Sequence, residues 1–477
     1  MKNRVFYAIT IVLIVATIIF ILLLQRTKLL PSQYMYIIAG GLLVLSAIEA
    51  VLLYKPKSKI CVILGIAMVL VSLIAYVYGG SYIVKVLNTI DQITQVTTVR
   101  ADVGIYVRQE DDVQSISDMA DYTFGVMESL DWENTESVIE EVKEITGEID
   151  TKNYEGVMEL LDSLLKTKET DAIIINSAFL EIVKEIEEYA NVENQIRLVH
   201  MEQVESVVES EPDKPEEKEA KVYTIYISGI DSRTGLVAKS RSDVNILATV
   251  NMETKEVLLV STPRDYYVPL SISGGVPDKL THAGIYGVYV SMDTLGMLYE
   301  TDVDYYFRVN FSGFEDIIDA LGGVVVYSDY AFDTGLHTFK QGENYMDGEA
   351  ALDFSRERYA FASGDRQRGK NQMAVIKAVI EKAVSPALLT NFSQIMDSVQ
   401  GSFETNIPYE LMAEVVRTQL DEGGSWKISS YSVDGSGASK KPYSMSMNAY
   451  VMIPNYDTVN TAKEMMRQVR ESGNTVE

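Results

Sequence analysis

The sequence predicts an α/β protein carried by three N-terminal membrane-spanning helices. A large mixed-sheet α/β domain lies beyond the membrane, preceded by a smaller α/β domain. Three observations carry this. Residues 5–24, 34–54 and 60–78 are apolar runs, each long enough to cross a hydrocarbon core of about 30 Å as a helix. After them, short β-branched runs alternate with amphipathic helical patterns. An acid-rich, proline-containing stretch at 202–221 separates two such regions. The divisions read 1–90 for the helices, 91–201 for the smaller domain, 202–221 for a linker and 222–477 for the large domain.

The first apolar run competes with a signal-peptide reading. The lack of a small-residue cleavage site and the two further runs close behind argue against that. Orientation follows the basic residues of the short loops. Lys2, Arg4, Lys55, Lys57 and Lys59 fall on one side, Arg26 and Lys28 on the other. Five against two puts the N-terminus and second loop in the cytoplasm. Three spans then place the bulk of the chain outside the cell, as part of a multi-pass membrane protein.

Charge is unevenly spread over the 477 residues, whose net charge is −27. The first 90 carry eight Lys and Arg and one acid, Glu49, a net of +7 that leaves −34 for the remainder. So acidic a remainder argues against nucleic acid as a partner, because phosphate neutralisation needs Lys and Arg. One cysteine, Cys61, allows no intramolecular disulfide.

In the smaller domain VGIYV (103–107) and AIIIN (172–176) read as buried strands. SVIEEVKEITGEI and YEGVMELLDSLLKT have helical spacing. Residues 202–221 lack aromatics and cannot bury enough surface to order themselves. In the large domain VYTIYISGI is a strand. DVNILATV and EVLLVST form a hairpin across NMETK, and YYFRVNF is a further strand. FEDIIDALGG is a helix stopped by Gly322-Gly323, and VVVYS a strand after it. QMAVIKAVIEKAV and YELMAEVVRTQL are amphipathic helices.

Against the overall charge, DFSRERYAFASGDRQRGKNQ (353–372) gathers Arg356, Arg358, Arg366, Arg368 and Lys370. If SRER is extended, Arg356 and Arg358 point to one face, and paired guanidiniums suit phosphate oxygens. The next segment opens a helix near Asp365. There Asp365, Arg368 and Gln372 share one face, at a helix start that favours anions. The competing reading is a salt-bridged surface with Asp365 as N-cap. Upstream, Asp231 ends one strand while Arg241 and Asp243 begin the next. Two carboxylates at neighbouring strand ends suit Mg²⁺, which completes its shell with water and phosphate; ordinary loop carboxylates are the alternative. Arg264 and Asp265 sit at another strand end, and Lys279 and His282 follow among small residues. His200 and His337 have no partners at recognisable spacing. No GxSxG, HExxH, P-loop or zinc-spaced set is present.

The motifs GIDSR, RSDVNILATVN, VSTPRDYYV, DKLTHAGIYG, VNFSGFEDIIDALGGVVV, MDGEAALDFSRER and GDRQRGKNQ occur in this order. Together they resemble the LytR–CpsA–Psr family of bacterial cell-envelope enzymes, closely over 222–385 and less so to about 475. The three spans and the intervening domain resemble that family's streptococcal capsule-biosynthesis branch. The resemblance implies a phosphotransferase that moves a glycopolymer, capsular polysaccharide in that branch, from a polyprenyl-pyrophosphate carrier to peptidoglycan. It implies Mg²⁺ held by Asp231 and Asp243. It also implies phosphate contacts from Arg241, Arg264, Arg356, Arg358 and Arg368, with Asp365, Gln372 and Lys279 completing the site. A pyrophosphatase side reaction and capsule-assembly partners belong to the same expectation. The alternative is a non-catalytic polyprenyl-phosphate-binding regulator of capsule assembly. Asp243 or Asp265 is the expected base. The prenyl tail is expected against the helices at 282–298 and 373–384. Asn371 stands where many family members have Arg, which puts that contact's necessity in doubt. Lys370 points about 100° away on a helix.

Overall fold

A computed structural model of the chain describes residues 2–28, 32–54, 58–94, 98–184, 186–207, 221–230, 239–361, 364–383, 385, 403–445 and 447–472. Its contacts divide the chain into two units. One comprises 1–95, 383–400 and 407–425, and the other 96–382, 401–406 and 426–477.

The first unit opens with α1 (Lys2–Arg26), α2 (Ser32–Tyr54) and α3 (Lys59–Thr94). Each has a stretch long and apolar enough to span a membrane, of 22, 23 and 27 residues. Helix α3 continues past its apolar part to Thr94, beyond the boundary expected at 90. Some polar side chains between these helices pair with one another. Thr17 Oγ1 lies 2.9 Å from Ser46 Oγ, and Ser72 donates to the fully buried Glu49 at 2.7 Å. Hydrocarbon offers no water to do so.

The second unit holds two lobes. The smaller contains β1 (Thr98–Arg108), β2 (Thr123–Val126), α4 (Trp132–Thr146), β3 (Asp150–Asn153), α5 (Val157–Leu165), β4 (Ala172–Asn176), α6 (Ser177–Val183) and β5 (Ile196–Val207). Its five-stranded sheet has the order β3-β2-β4-β1-β5. Strand β2 is parallel to β3 and β4, and β1 is antiparallel to β4 and β5. AIIIN is buried on both faces, as a central strand between helical layers must be. Ile173 and Ile175 pack with α5 and α6, and Ile174 packs with α4. Strand β5 runs to Val207, opposite Thr98. Residues 202–207 are therefore sheet rather than the expected linker.

The larger lobe begins with β6 (Val222–Ile230), β7 (Ser242–Asn251), β8 (Glu256–Ser261), β9 (Tyr267–Pro269) and β10 (Pro277–Lys279). Next come α7 (Leu280–Tyr286), α8 (Val288–Tyr299), β11 (Tyr305–Asn310), α9 (Phe311–Ala320), β12 (Val324–Ser328), β13 (Phe332–Asp333), β14 (Thr338–Phe339), β15 (Gly342–Met346), α10 (Gly348–Arg356) and α11 (Asp365–Ala383). The remaining elements are β16 (Phe403–Thr405), β17 (Lys427–Ser432), β18 (Gly435–Lys440), β19 (Ala449–Pro454) and α13 (Tyr456–Glu471), with α12 (Tyr409–Glu422) between β16 and β17 in sequence but outside this lobe. The central mixed sheet has six strands in the order β16-β11-β6-β7-β8-β17. Its alternating residues divide between two cores. Leu247, Leu258 and Val260 face α8 and α13, whereas Ile246, Val257 and Leu259 face Met373 of α11. The apolar stripes of α8 and α11, expected to line a prenyl pocket, are therefore the two covers of this sheet. VVVYS forms β12, which among the described residues pairs with β15 and not with that sheet. The expected hairpin across NMETK is present as β7 and β8. Gly322 and Gly323 end α9 at φ of 73° and 75°, a conformation favouring glycine.

YELMAEVVRTQL, expected inside the large domain, forms α12 and belongs to the first unit. There Lys28 lies 3.6 Å from Glu410, and Gln33 donates to Asp421 at 2.8 Å.

Candidate functional site

Strands β6 and β11 are parallel, and β7 is antiparallel to both β6 and β8. The carboxyl ends of β6, β8 and β11 and the start of β7 therefore share one edge, where open α/β sheets place their ligands. A cavity of about 650 Å³ opens there. Gly229 from β6, Asp243 from β7, Arg264 after β8 and Phe311 after β11 all line it. Arg356 and Arg358 at the end of α10, and Arg368 and Gln372 of α11, complete the wall. A smaller adjoining pocket shares Asp243, Arg264, Arg368 and Gln372 and adds Asp265 and Arg366.

Local structure explains each position. Asp347 caps α10 by accepting from Ala350 N at 3.0 Å, and Ala351 and Phe354 are buried in the core beneath it. That burial keeps the chain helical to Arg356, so of SRER the first two residues are helix and the backbone becomes extended only at Glu357. Arg356 and Arg358 nevertheless line the same cavity. Arg356 stacks over the Phe311 ring with 4.2 Å from Cζ to centroid. Arg358 reaches Tyr359, donating to its hydroxyl at 2.6 Å. Helix α11 begins at Asp365, and Gly364 O accepts from Gln367 N and Arg368 N at 3.1 and 3.2 Å. Gly364, not Asp365, thus takes the cap position. The side chain of Asp365 and all of Asp231 lie outside the described residues.

Asp243 Oδ2 lies 3.1 Å from Arg264 Nη1, and Oδ1 accepts from Thr281 at 3.3 Å. Asp265 stands 3.7 Å from Arg264 Nε and 3.5 Å from Lys279 Nζ. Lys279 is buried and does not line the cavity; it stands behind Asp265. Arg241 does not line the cavity either. Its Nη1 donates to the carbonyl of Glu181 at 3.4 Å. Asn371 faces inward and is 3% exposed. It donates to Phe354 O at 3.1 Å and accepts from Gln367 Nε2 at 3.0 Å. The Asn371 position therefore fastens α11 beneath the end of α10. Lys370 is exposed.

The histidines all have partners that spacing did not reveal. His282 is fully buried, with Nδ1 2.7 Å from Asp278 and 2.9 Å from Ser444 Oγ, too enclosed for chemistry on a bulky substrate. His200 Nε2 lies 3.3 Å from Glu141, and His337 Nδ1 lies 2.9 Å from Asp353. Sequence reasoning also missed Phe311, Leu336 and Leu352, which give the cavity an apolar side, and Glu315 and Glu349, which give it an acidic one. They come from α9, α10 and the β13–β14 turn; four of them lie within quoted motifs, but nothing in the sequence showed that they face one cavity.

Among curated proteins, the chain is similar to the polyisoprenyl-teichoic acid–peptidoglycan teichoic acid transferase TagU of Bacillus licheniformis. The identity is 33% over 194 residues, covering 40% of this chain and 62% of that one, less than two thirds of its length. TagU of Oceanobacillus iheyensis is 32% identical over 241 residues, 48% of this chain and 73% of that one. Among solved structures, B. subtilis TagV is 26% identical with a TM-score of 0.45, covering 53% of this chain and 98% of that one. The family match runs from residue 183, inside the smaller lobe, to 468, and the chain belongs to the LytR_cpsA_psr family.

Proposed function

We propose that the protein is a phosphotransferase that moves a glycopolymer from a polyprenyl-pyrophosphate carrier to peptidoglycan. The observation that carries this is the convergence of Arg264, Arg356, Arg358 and Arg368 with Asp243 and Gln372 on one cavity. Phosphoryl transfer needs in-line positioning and charge neutralisation more than a covalent nucleophile, and the four guanidiniums, set among carboxylates, supply the positive charge for it. The acceptor hydroxyl forms a bond to the sugar-bearing phosphorus. The bond from that phosphorus to the bridging oxygen breaks, and prenyl phosphate leaves. The hydroxyl proton passes to a carboxylate, for which Asp243 and Asp265, both beside Arg264, are the candidates. Phe311 and Leu336 offer the cavity's apolar side to the first prenyl units.

The donor set suits Mg²⁺, because Asp243 presents a partly exposed carboxylate to the arginine-lined cavity, and Mg²⁺ takes one or two carboxylates with phosphate oxygens and water. Asp243 and Asp231 would hold the ion, which would neutralise charge on the pyrophosphate. The relatives are named for teichoic acid. The three spans and smaller lobe support capsular polysaccharide as the polymer here. The basic residues of the loops support an extracellular position for both lobes. The pairing of Lys28 and Gln33 with α12 agrees, because it joins the first loop to the large domain's own sequence.

The test uses the full chain in detergent with a prenyl-pyrophosphate-linked sugar, peptidoglycan fragments and Mg²⁺. Release of prenyl phosphate with transfer of sugar is expected. Carrier binding without turnover would favour the regulator. An alkaline phosphatase fusion at residue 90 checks orientation, and an inactive fusion contradicts it.

A further inference from the structure

Lys239, Ser240 and Arg241 lead into β7, the strand that delivers Asp243 to the cavity. Each is held by a different partner. Lys239 Nζ is 2.8 Å from Asp131 Oδ1. Ser240 Oγ accepts from Arg308 Nη2 at 3.1 Å, and the buried Arg308 also pairs with Glu404 at 3.1 Å. Arg241 donates to the Glu181 carbonyl. Asp131 and Glu181 belong to the smaller lobe. The backbone is tight as well. A Cβ on Gly284 would fall 2.5 Å from Ser240 O, so α7 presses directly on this segment.

Asp131 is arranged to receive a cation. It has a left-handed backbone, φ 57°, which non-glycine residues adopt at a cost. Its Oδ1 also accepts from Asn134 Nδ2 at 2.5 Å, and its Oδ2 accepts from Asn176 Nδ2 at 2.6 Å. Both asparagines are 2% exposed. The side chains of Asp131 and Lys239 are only 8% and 14% exposed. Asp131 precedes α4 and Asn176 precedes α6, the first beyond and the second at the carboxyl end of the parallel strands β2 and β4. That edge is where such a sheet binds a ligand. Helix starts favour anions there; Asp131 reverses the sign, and Lys239 fills the place.

We propose that the smaller lobe is an intramolecular clamp whose ligand is Lys239, and that Asp131 is a positioning residue for Asp243. Ser242 carries the connection, since its hydroxyl lies 2.8 Å from Tyr226 and 2.7 Å from Ser228 in the buried sheet. The catalytic consequence rests on the transferase reading; the clamp itself does not.

The test compares full-length wild type with Lys239→Met, Lys239→Arg and Asp131→Asn, reading amide hydrogen exchange and, separately, kcat and KM. Lys239→Met is expected to speed exchange across 239–244 by about tenfold while β8 and β17 stay unchanged. It should lower kcat about tenfold with little change in KM, because misplacement harms chemistry more than binding. Lys239→Arg should restore both. Unchanged exchange overturns the clamp whatever the activity. Faster exchange with wild-type kcat overturns the positioning role. If wild type itself transfers nothing, the transferase reading fails and exchange alone decides the clamp. Asp131→Asn keeps the side chain's shape, so it answers the same questions if Lys239→Met does not fold.

Discussion

The two lobes of the second unit solve the same geometric problem differently. Each has a sheet between helical layers, and each gathers polar residues beyond the carboxyl ends of parallel strands. In the larger lobe that edge opens on about 650 Å³ lined by arginines and carboxylates together. In the smaller lobe Asp131, held by Asn134 and Asn176, closes on Lys239 from its neighbour. The fold supplies a place for a ligand in both. Side-chain charge decides whether that ligand diffuses in or is part of the same chain.

The sharpest way to break the comparison is at the open edge. Arg356→Ala should lower transfer by on the order of 10²–10³-fold, the usual cost of removing a preorganised group facing developing charge. Prenyl-phosphate release measures this, and near-wild-type rates would mean the edge is not a phosphate site. At the closed edge, Asp131→Ala leaves Lys239 buried without its carboxylate and should cost about 3 kcal/mol in urea unfolding. A smaller loss would make the pair a surface contact.

Asn371→Ala tests a position beside the open edge that does not belong to it. Leaving Phe354 O unpaired should cost about 1–3 kcal/mol, while turnover per folded molecule stays unchanged. A selective loss of turnover would return Asn371 to the site. The smallest effect concerns the sheet rather than either edge. Lys427, then Ser472, holds the Glu256 carboxyl below its ordinary range. A depressed carboxylate stabilises the fold above the unfolded value of about 4.3, and this is lost as pH falls through the folded value. Lys427→Met should therefore cost less than about 1 kcal/mol at neutral pH. The difference should fade in acid, as thermal melts across pH would record.

Much of this was readable in the sequence, for reasons that also mark the limit. The membrane helices announce themselves by composition. AIIIN, VYTIYISGI and the β7–β8 hairpin do so by pattern, and the arginines by standing out against an acidic chain. What could not be read was direction. Helix or strand at SRER turned on whether Phe354 was buried. Whether Arg241, Lys279 and Asn371 faced the cavity turned on neighbours as remote as Glu181. Charge type is a local property, whereas the surface it meets is set by tertiary packing.

The core of the smaller lobe has one further consequence. Phe179, Leu180 and Ile182 share their cluster with Ile285 and Met445, and Tyr443 packs against it. Ser444 N is fastened to Asp278 at 2.9 Å. Synthesis runs from the N-terminus at roughly 5–20 residues per second, so α6 waits on the order of tens of seconds before Met445 exists to cover it. The lobe made first is completed last. During that interval the part of its apolar face that Met445 and Tyr443 cover stays open to water.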